Sequence, residues 1–284
     1  MADSPYIVVV GSVNLDLAAS VARLPVAGET ITDATLNRFP GGKGPNQALA
    51  ARRLGTKVTL VACVGNDANA GEALALLEAD GVDLDCCIRI DDAPTGVALI
   101  AVAPDGENQI IVAPGANRRL SAGHLDLPPA DALIGQLEVP VEALLAAATS
   151  FTGFVSLNLA PARPVPDALL ERADLLVVNE TEAAHYGVAL ERCEAMIATT
   201  YGAKGAVLKK QGRELAKAAP PAIDAVDATG AGDAFTAALT VALVDGEEPV
   251  AALRFAAAAG AASATKPGAQ PSLPSRAEVE ALLR

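Results

Sequence analysis

The stretch Tyr6-Ile7-Val8-Val9-Val10-Gly11 is a short apolar run, rich in β-branched residues, that stops at a glycine. Such a run is typical of a strand buried on both faces of a sheet. Four further runs of this kind follow along the chain: Val58–Cys63, Phe154–Leu157, Leu175–Val178 and Met196–Thr199. Segments rich in alanine and leucine, with helical periodicity, separate them. The alternation predicts an α/β fold, with a doubly wound, mostly parallel sheet and helices on both faces.

Two segments, Leu17–Arg38 and Ile88–Val112, break this pattern. In the second, β-branched residues alternate with polar ones around the turn signal Pro104-Asp105-Gly106. We therefore expect a single domain, residues 1–284, with a small antiparallel β lid whose strands are inserted at about 15–40 and 88–113. Ligands of open α/β folds bind at the carboxyl ends of the strands, so the functional loops are expected there.

Charge and cysteine content exclude several classes of function. Lys+Arg total 21 against 34 Asp+Glu, a net charge of -13 that would repel nucleic acid and anionic membranes, so neither partner is expected. The uncharged stretch Leu144–Ala162 is too polar to span a bilayer, and the N-terminus lacks the basic region of a signal peptide. Four cysteines without a Cys-x-x-Cys pair, and only two histidines, predict reduced thiols in a cytoplasmic protein rather than a zinc site.

A run of small residues, Val226-Asp227-Ala228-Thr229-Gly230-Ala231-Gly232-Asp233-Ala234-Phe235, leads into the helical segment Ala234–Val244. Without bulky side chains, the backbone N–H groups of residues 230–232 can approach an anion at a helix N-terminus. Asp233 then has two interpretations. It stabilises the helix dipole, or it accepts a proton from a hydroxyl while the anion hole holds a phosphoryl group.

The second glycine-rich turn, Phe39-Pro40-Gly41-Gly42-Lys43-Gly44-Pro45-Asn46-Gln47-Ala48, leads into a predicted helix over Ala48–Leu54. It matches neither the Walker loop nor Gly-x-Gly-x-x-Gly. Lys43 and Asn46 nevertheless place a cation and an amide on one turn, a combination suited to hydrogen bonding a polyol.

Gly41–Asn46, followed by Gly55 and Gly65, resembles the first signature of the PfkB, or ribokinase-like, family of carbohydrate kinases, and Asp227–Leu239 resembles the second. Eight further segments resemble members of the family in order and spacing: Gly11–Asp16, Pro25–Thr30, Thr95–Leu99, Pro114–Asn117, Gln136–Glu138, Asn179–Glu182, Thr200–Gly205 and Lys266–Ser272. The resemblance thus covers nearly the whole chain.

The resemblance implies ATP-dependent phosphorylation of D-ribose at O5. Asp233 would be the general base, and the backbone of Gly230, Ala231 and Gly232 would form the anion hole. The matching sugar-binding residues are Asn14, Asp16, Gly42, Lys43, Asn46 and Glu138, together with Asp233. Without the resemblance, Asn14 and Asp16 would be read as an ordinary turn and Glu138 as a surface residue.

The resemblance also implies three cofactors or activators. ATP would contact Asn179, Thr200, Gly202, Gly205 and Gly232, although residues 200–205 are also compatible with a plain turn. Asn179 and Glu182 would assist Mg²⁺ indirectly, or form only a helix capping box. A monovalent cation, K⁺, would be bound near Asp227, Thr229, Ser263, Lys266, Gly268 and Ser272. Pairing of the lids implies a homodimer.

Three features depart from the family pattern. Ala228 and Ala257 are smaller than the residues usual at those positions near the nucleotide. Val188–Cys193 is short where a full crossover helix is usual, so we expect a missing or foreshortened helix that leaves apolar sheet exposed or covered by a partner subunit.

Several alternatives follow. The acceptor could instead be another pentose, a deoxyribose or a nucleoside, and the departures are compatible with a catalytically weak protein that binds sugar or nucleotide. A Rossmann dehydrogenase is disfavoured because Gly11–Asn14 lacks the dinucleotide fingerprint.

Overall fold

The computed structural model describes residues 4–104 and 106–284, so Asp105 of the predicted turn lies outside the described residues. Within them, thirteen strands form two sheets. The strands are β1 Tyr6–Val10, β2 Asn14–Ser20, β3 Thr35–Gly41, β4 Lys57–Gly65, β5 Cys87–Ile90, β6 Gly96–Val102, β7 Asn108–Ala113, β8 Ala132–Gln136, β9 Phe154–Asn158, β10 Leu175–Asn179, β11 Met196–Thr200, β12 Ala206–Lys210 and β13 Arg213–Ala218.

Ten α-helices connect or cover these strands within the same described ranges. They are α1 Lys43–Arg53, α2 Ala68–Ala79, α3 Val141–Ser150, α4 Asp167–Arg172, α5 Glu180–Tyr186, α6 Val188–Glu191, α7 Ala231–Val244, α8 Pro249–Ser263, α9 Ala269–Ser272 and α10 Arg276–Leu282. Helices α1 and α7 begin five and three residues earlier than predicted, so the glycine-rich segments themselves form the first helical turns.

The large sheet has the strand order β13-β12-β11-β10-β9-β8-β1-β4-β5. Pairing is parallel from β11 to β5, and β12 and β13 are added antiparallel at one edge. This arrangement confirms the predicted mostly parallel sheet.

Alternate residues of the central strand β1 enter two different cores. Val8 and Val10 pack in a cluster with α3 residues such as Leu144, whereas Ile7 and Val9 pack in a second cluster with Ala50 of α1 and residues of α7. These four side chains of β1, residues 7 to 10, are fully buried. Because both faces of the strand must be covered by apolar side chains, helices lie on both sides of the sheet.

The second sheet, which we call the lid sheet, consists of β3, β2, β6 and β7 in that order. Its β2–β3 and β6–β7 pairs are antiparallel as predicted, but its central β2–β6 pair is parallel. The sequence pattern assigned residues 88–90 to this sheet. Instead, Cys87–Ile90 pairs with β4 and extends the large sheet, since Ala62 lies opposite Cys87 in parallel register.

The crossover between β10 and β11 is foreshortened, as the length of 188–193 predicted. It consists of α5, seven residues long, and α6, four residues long, joined at Gly187. Tyr186 and Leu190 are buried in the same core cluster as Leu176 and Val178 of β10. The two short helices therefore cover these strand residues, and the apolar sheet at β10, which we expected to be exposed or covered by a partner subunit, is buried within the chain.

Within the described residues, no helix is both long and apolar enough to cross a membrane.

Candidate active site

Four neighbouring parallel strands of the large sheet end in polar residues at their carboxyl ends. Gln136, Asn158, Asn179 and Thr200 are the last residues of β8, β9, β10 and β11. Gln136 lies opposite Asn158, and Asn179 opposite Thr200, in parallel register. Gln136 and Asn158 were not predicted as site residues, although the signal was present: each of these apolar runs ends in a side chain that can form hydrogen bonds.

The glycine-rich turn before α1 requires glycine because the backbone passes close to the loop after β1. Gly42 has φ 90°, and a Cβ there would lie 2.8 Å from both the N of Asn14 and the O of Ser12. At Gly41, a Cβ would overlap the carboxylate of Asp16. The turn therefore brings the first residues of α1 beside Asn14 and Asp16 of the lid strand β2.

Helix α7 begins at a second glycine turn. Gly230, the N-cap, has φ 81°, and a Cβ on it would lie 3.1 Å from the Cα of Ala269. The N–H of Ala231 donates to the carbonyl of Ala228 at 3.1 Å, so this group of the predicted anion hole is already occupied. The N–H groups of Gly232 and Asp233 have no backbone acceptor among the described residues. The N–H of Gly230 likewise has no backbone acceptor among the described residues, so two of the three predicted donors remain available and Asp233 adds another.

The carboxylate of Asp233 is 6% exposed and is held by the first turn of α1. Asn46 Nδ2 donates to Oδ2 at 2.9 Å, and Gln47 Nε2 donates to Oδ1 at 2.8 Å. Lys43 Nζ lies 4.0 Å from Oδ1. Asp233, followed by the carboxylates of Glu138 and Glu182, raises the pKa of Lys43 and keeps its ammonium charged.

The other predicted sugar-binding side chains converge on this group. Glu138 accepts hydrogen bonds from the hydroxyl of Ser12 and, at 3.3 Å, from the backbone N–H of Lys43. Asn14, 5% exposed, accepts at Oδ1 from Asn117 Nδ2 at 2.9 Å. Asn117 is in turn fixed by the backbone of Val13. The sequence analysis did not identify Ser12 or Asn117, whose contacts depend on segments more than 100 residues apart.

Asp16 completes a group of carboxylates. Burial, followed by the charges of Glu138 and Asp233, raises the pKa of Asp16 to about 6. One buried acceptor nearby, Oδ1 of Asn46, has no hydrogen-bond partner among the described residues. Acceptors of this kind suit a ligand that presents several hydroxyl donors.

An apolar cavity of about 450 Å³ begins at Gly232, the residue before Asp233. Four of the predicted nucleotide-contacting residues line it: Thr200, Gly202, Gly205 and Gly232. The two departures from the family pattern, Ala228 and Ala257, also contribute to its wall. Asn179, the fifth predicted contact, is not among the described residues that line the cavity.

Asn179 and Glu182 form the capping box of α5. Asn179 Oδ1 accepts from the N–H of Glu182, and Glu182 Oε2 accepts from the N–H of Asn179, both at 2.8 Å. Burial raises the pKa of Glu182. The described residues contain no cluster of three or more His, Cys, Asp or Glu side chains suited to a metal. Because Asn179 Oδ1 and Glu182 Oε2 each already accept a backbone N–H, the two side chains fit contact with Mg²⁺ through water, in the manner common for nucleotide-bound magnesium.

Residues predicted for the monovalent cation meet in two hydrogen-bonded groups. Asp227 accepts at Oδ1 from Thr229 and at Oδ2 from the N–H of Gly268, the latter at 2.8 Å. The hydroxyls of Ser263 and Ser272 lie 2.9 Å apart. The side chain of Lys266 is directed elsewhere, since its Nζ pairs with Glu278 at 2.8 Å. Any ligation near residue 266 would thus come from its backbone.

Comparison with known proteins decides the family. The sequence model described as pfkB family carbohydrate kinase matches residues 4–276. The chain belongs to this family. Ribokinase of Bacillus subtilis (strain 168) is 36% identical over 291 residues, spanning 98% of this chain and 99% of that protein.

Solved structures agree with this assignment to the pfkB family. Ribokinase from Thermotoga maritima has a TM-score of 0.91 at 35% identity, with 98% of this chain and 99% of that chain covered. Arabidopsis thaliana ribokinase, solved in complex with ribose and ATP, has a TM-score of 0.88 at 33% identity, covering 99% of each chain. The predicted family resemblance and the expected kinase class are confirmed.

The raised pKa of Asp16 predicts a stability cost in this pfkB-family protein. The unfolded carboxyl loses its proton near pH 4, whereas the folded one keeps it to about pH 6, so stability falls as pH rises through that window. Asp16→Asn should therefore increase the free energy of unfolding at pH 7 by up to about 3 kcal/mol. Urea unfolding at pH 4 and pH 7 measures this.

The control is Asp33→Asn, which replaces an exposed aspartate of the loop between β2 and β3. It should leave the free energy of unfolding unchanged at both pH 4 and pH 7. Equal stability of the wild type and Asp16→Asn at pH 7 would contradict the predicted cost of the buried carboxylate.

Proposed function

We propose that the protein transfers the γ-phosphate of ATP to O5 of D-ribose. The observation that carries the proposal is the position of Asp233, whose carboxylate lies beside Lys43 and Asn46 while the adjacent Gly232 lines the apolar cavity. A group at this boundary can act on a sugar hydroxyl and a nucleotide phosphate together. The ribose and ATP bound by the Arabidopsis relative support this pair of substrates.

In the proposed reaction, Asp233 accepts the proton of the O5 hydroxyl as that oxygen attacks the γ-phosphorus. The new O–P bond forms while the bond to the leaving ADP breaks. The N–H groups of Gly232 and Asp233, with the ammonium of Lys43, stabilise charge on the transferring group. Mg²⁺ would neutralise the β- and γ-phosphate oxygens. Asn179 and Glu182 would face it through water.

Sugar recognition uses the polar atoms that surround Asp233. The carboxylates of Asp16 and Glu138 can each accept hydroxyl hydrogens, and Asn46 Oδ1 is a buried acceptor without a partner among the described residues. Lys43 and the segment Gly115-Ala116-Asn117 favour ribose over other acceptors by their resemblance to ribokinase. The second candidate acceptor is another pentose, a deoxyribose or a nucleoside. A panel of acceptors distinguishes these from D-ribose, because a site that hydrogen bonds a hydroxyl strongly disfavours an analogue that lacks it.

Asp233→Asn should lower kcat by roughly 10²- to 10⁴-fold, since it removes the proposed base but keeps the size of the side chain. Coupled ADP release with Mg-ATP, K⁺ and D-ribose measures this. Asp245→Asn, at the opposite end of α7, is the matched control and should retain wild-type turnover.

If Asp233→Asn kept the wild-type kcat, Asp233 could not be the general base. Ribose binding without turnover in the wild type would instead favour the weakly catalytic binding protein, and the absence of both would point to another acceptor.

K⁺ activation is a further part of the proposal. The contact between Asp227 and Gly268 joins the loop before α7 to the loop before α9, so a cation bound by carbonyls there would help to shape the anion hole. We expect kcat to be several-fold higher in K⁺ than in Na⁺ or tetramethylammonium at equal ionic strength. Equal rates in all three salts would refute the activation.

We also propose a cytoplasmic homodimer that forms through the lid sheet. The four cysteines are unpaired, in keeping with a reducing compartment. In the edge strand β7, Ile110, Ile111 and Val112 are 55%, 67% and 50% exposed, and Leu99 of β6 is 46% exposed. An apolar sheet edge of this kind favours association with a second copy.

Light scattering should give twice the chain mass of 28.6 kDa at micromolar concentration. Ile111→Glu should shift the protein toward the monomer without unfolding it, because the side chain is exposed. Val250→Glu, at a 52% exposed position on α8, should leave the dimer intact. A monomeric mass for the wild type would rule the dimer out.

A further inference from the structure

Gln47, which the family resemblance assigns to no role, forms a chain of buried amides behind Asp233. Gln47 and Gln136 are 0% exposed, and Asn158 is 8% exposed. Gln47 Nε2 donates to Asp233 Oδ1 at 2.8 Å and to Asn158 Oδ1 at 3.3 Å, and Gln47 Oε1 accepts from Gln136 Nε2 at 2.6 Å. We infer that Gln47 is the positioning residue that fixes the orientation of the Asp233 carboxylate.

The contacts of Gln47 permit only one orientation of its amide. A flip would place Oε1 against the carboxylate of Asp233 and the NH₂ group against the NH₂ of Gln136. The contact with Gln136 could be restored by a flip of the Gln136 amide, whose Oε1 has no other partner among the described residues, but the ionised carboxylate of Asp233 offers only acceptors. Gln47 is therefore obliged to donate toward Asp233.

The far end of the chain is anchored on the sheet. Asn158 closes β9 and donates from Nδ2 to the carbonyl of Val177 at 3.2 Å. Gln136 closes β8 and fills the space beside Gly11, where a Cβ would come 2.2 Å from its Oε1. Residues on parallel strands are held rigidly, so the hydrogen bonds from Gln136 and to Asn158 restrict the position of the Gln47 side chain.

Orientation matters because the outer torsion of an aspartate is soft, with broad energy wells. The two carboxylate oxygens of Asp233 have different neighbours. Oδ2 faces Asn46, and Oδ1 faces Gln47. Loss of the Gln47 donor would free the carboxylate to rotate, and a proton acceptor misplaced by about 1 Å can slow a reaction by 10²-fold.

This inference rests on the proposed role of Asp233, and Gln47→Met tests it. Methionine has similar length and no donor. We expect kcat with ribose and ATP to fall roughly 10- to 100-fold, while KM for each substrate changes less than about two-fold, since Gln47 meets the proposed sugar site only through Asp233 and does not line the apolar cavity. Gln136→Met, which removes only the donor to Gln47 Oε1, should give a smaller loss of kcat with the same unchanged KM values.

Thr240→Val is the matched structural control. Thr240 is 0% exposed on α7, and its hydroxyl bonds Ser156 and the carbonyl of Thr236 without reaching the amide chain. It should lower Tm but leave kcat at the wild-type value. Circular dichroism establishes folding of each variant, and Gln136→Met decides the matter if Gln47→Met does not fold.

Suppose that the wild type is active. If Gln47→Met and Gln136→Met then leave kcat unchanged, or if they raise KM instead of lowering kcat, this inference is overturned and the proposed function is not. A wild type that phosphorylates no acceptor overturns the proposed function and the inference with it.

Discussion

The structure depends on a buried negative charge at the start of α7. Asp233 is 6% exposed, and an ionised carboxylate at that depth is costly unless donors surround it. Two amides from the first turn of α1 supply the hydrogen bonds, and Lys43 supplies the opposite charge at 4.0 Å. The two helices must therefore begin side by side above the carboxyl edge of the sheet. The glycine turns at Gly42 and Gly230 permit this approach because each adopts a positive φ.

Charge is distributed unevenly around that centre. Asp16, Glu138 and Lys43 interact electrostatically with one another or with Asp233, whereas the cavity that Gly232 lines is formed mainly by alanine, glycine and proline. A neutral polyol gains from clustered acceptors, but a nucleoside triphosphate would be repelled by them. Separation of the two environments across Asp233 thus suits one neutral and one highly anionic substrate, in a chain whose net charge is -13.

Local patterns were sufficient to predict the parallel sheet, the lid and the two glycine turns, because period and turn chemistry are properties of neighbouring residues. They placed residues 88–90 wrongly, since pairing of Cys87–Ile90 with β4 is decided by tertiary context. Ser12, Gln47, Asn117 and Asn158 were missed for a similar reason. Each acts through a partner distant in sequence. A polar residue at a strand end, such as Asn158, indicates the ligand-binding edge of the sheet, but its sequence neighbours do not show which partner it contacts. The folded backbone also decides which N–H groups can bind a ligand. The N–H of Ala231, for example, already donates to the carbonyl of Ala228.

The departures from the family pattern fall outside the group that positions Asp233. The short crossover retains the Asn179–Glu182 capping box and covers β10 with Tyr186 and Leu190, so its reduced length removes no contact of the carboxylate. Ala228 and Ala257 replace larger side chains only in the wall of the apolar cavity. A buried charge costs free energy unless donors surround it. A weakly catalytic protein would therefore be expected to lose the buried carboxylate, or the donors that hold it, before other parts of the site. Here each carboxylate oxygen of Asp233 keeps an amide donor and Lys43 lies 4.0 Å away, which favours an active kinase over a binding protein.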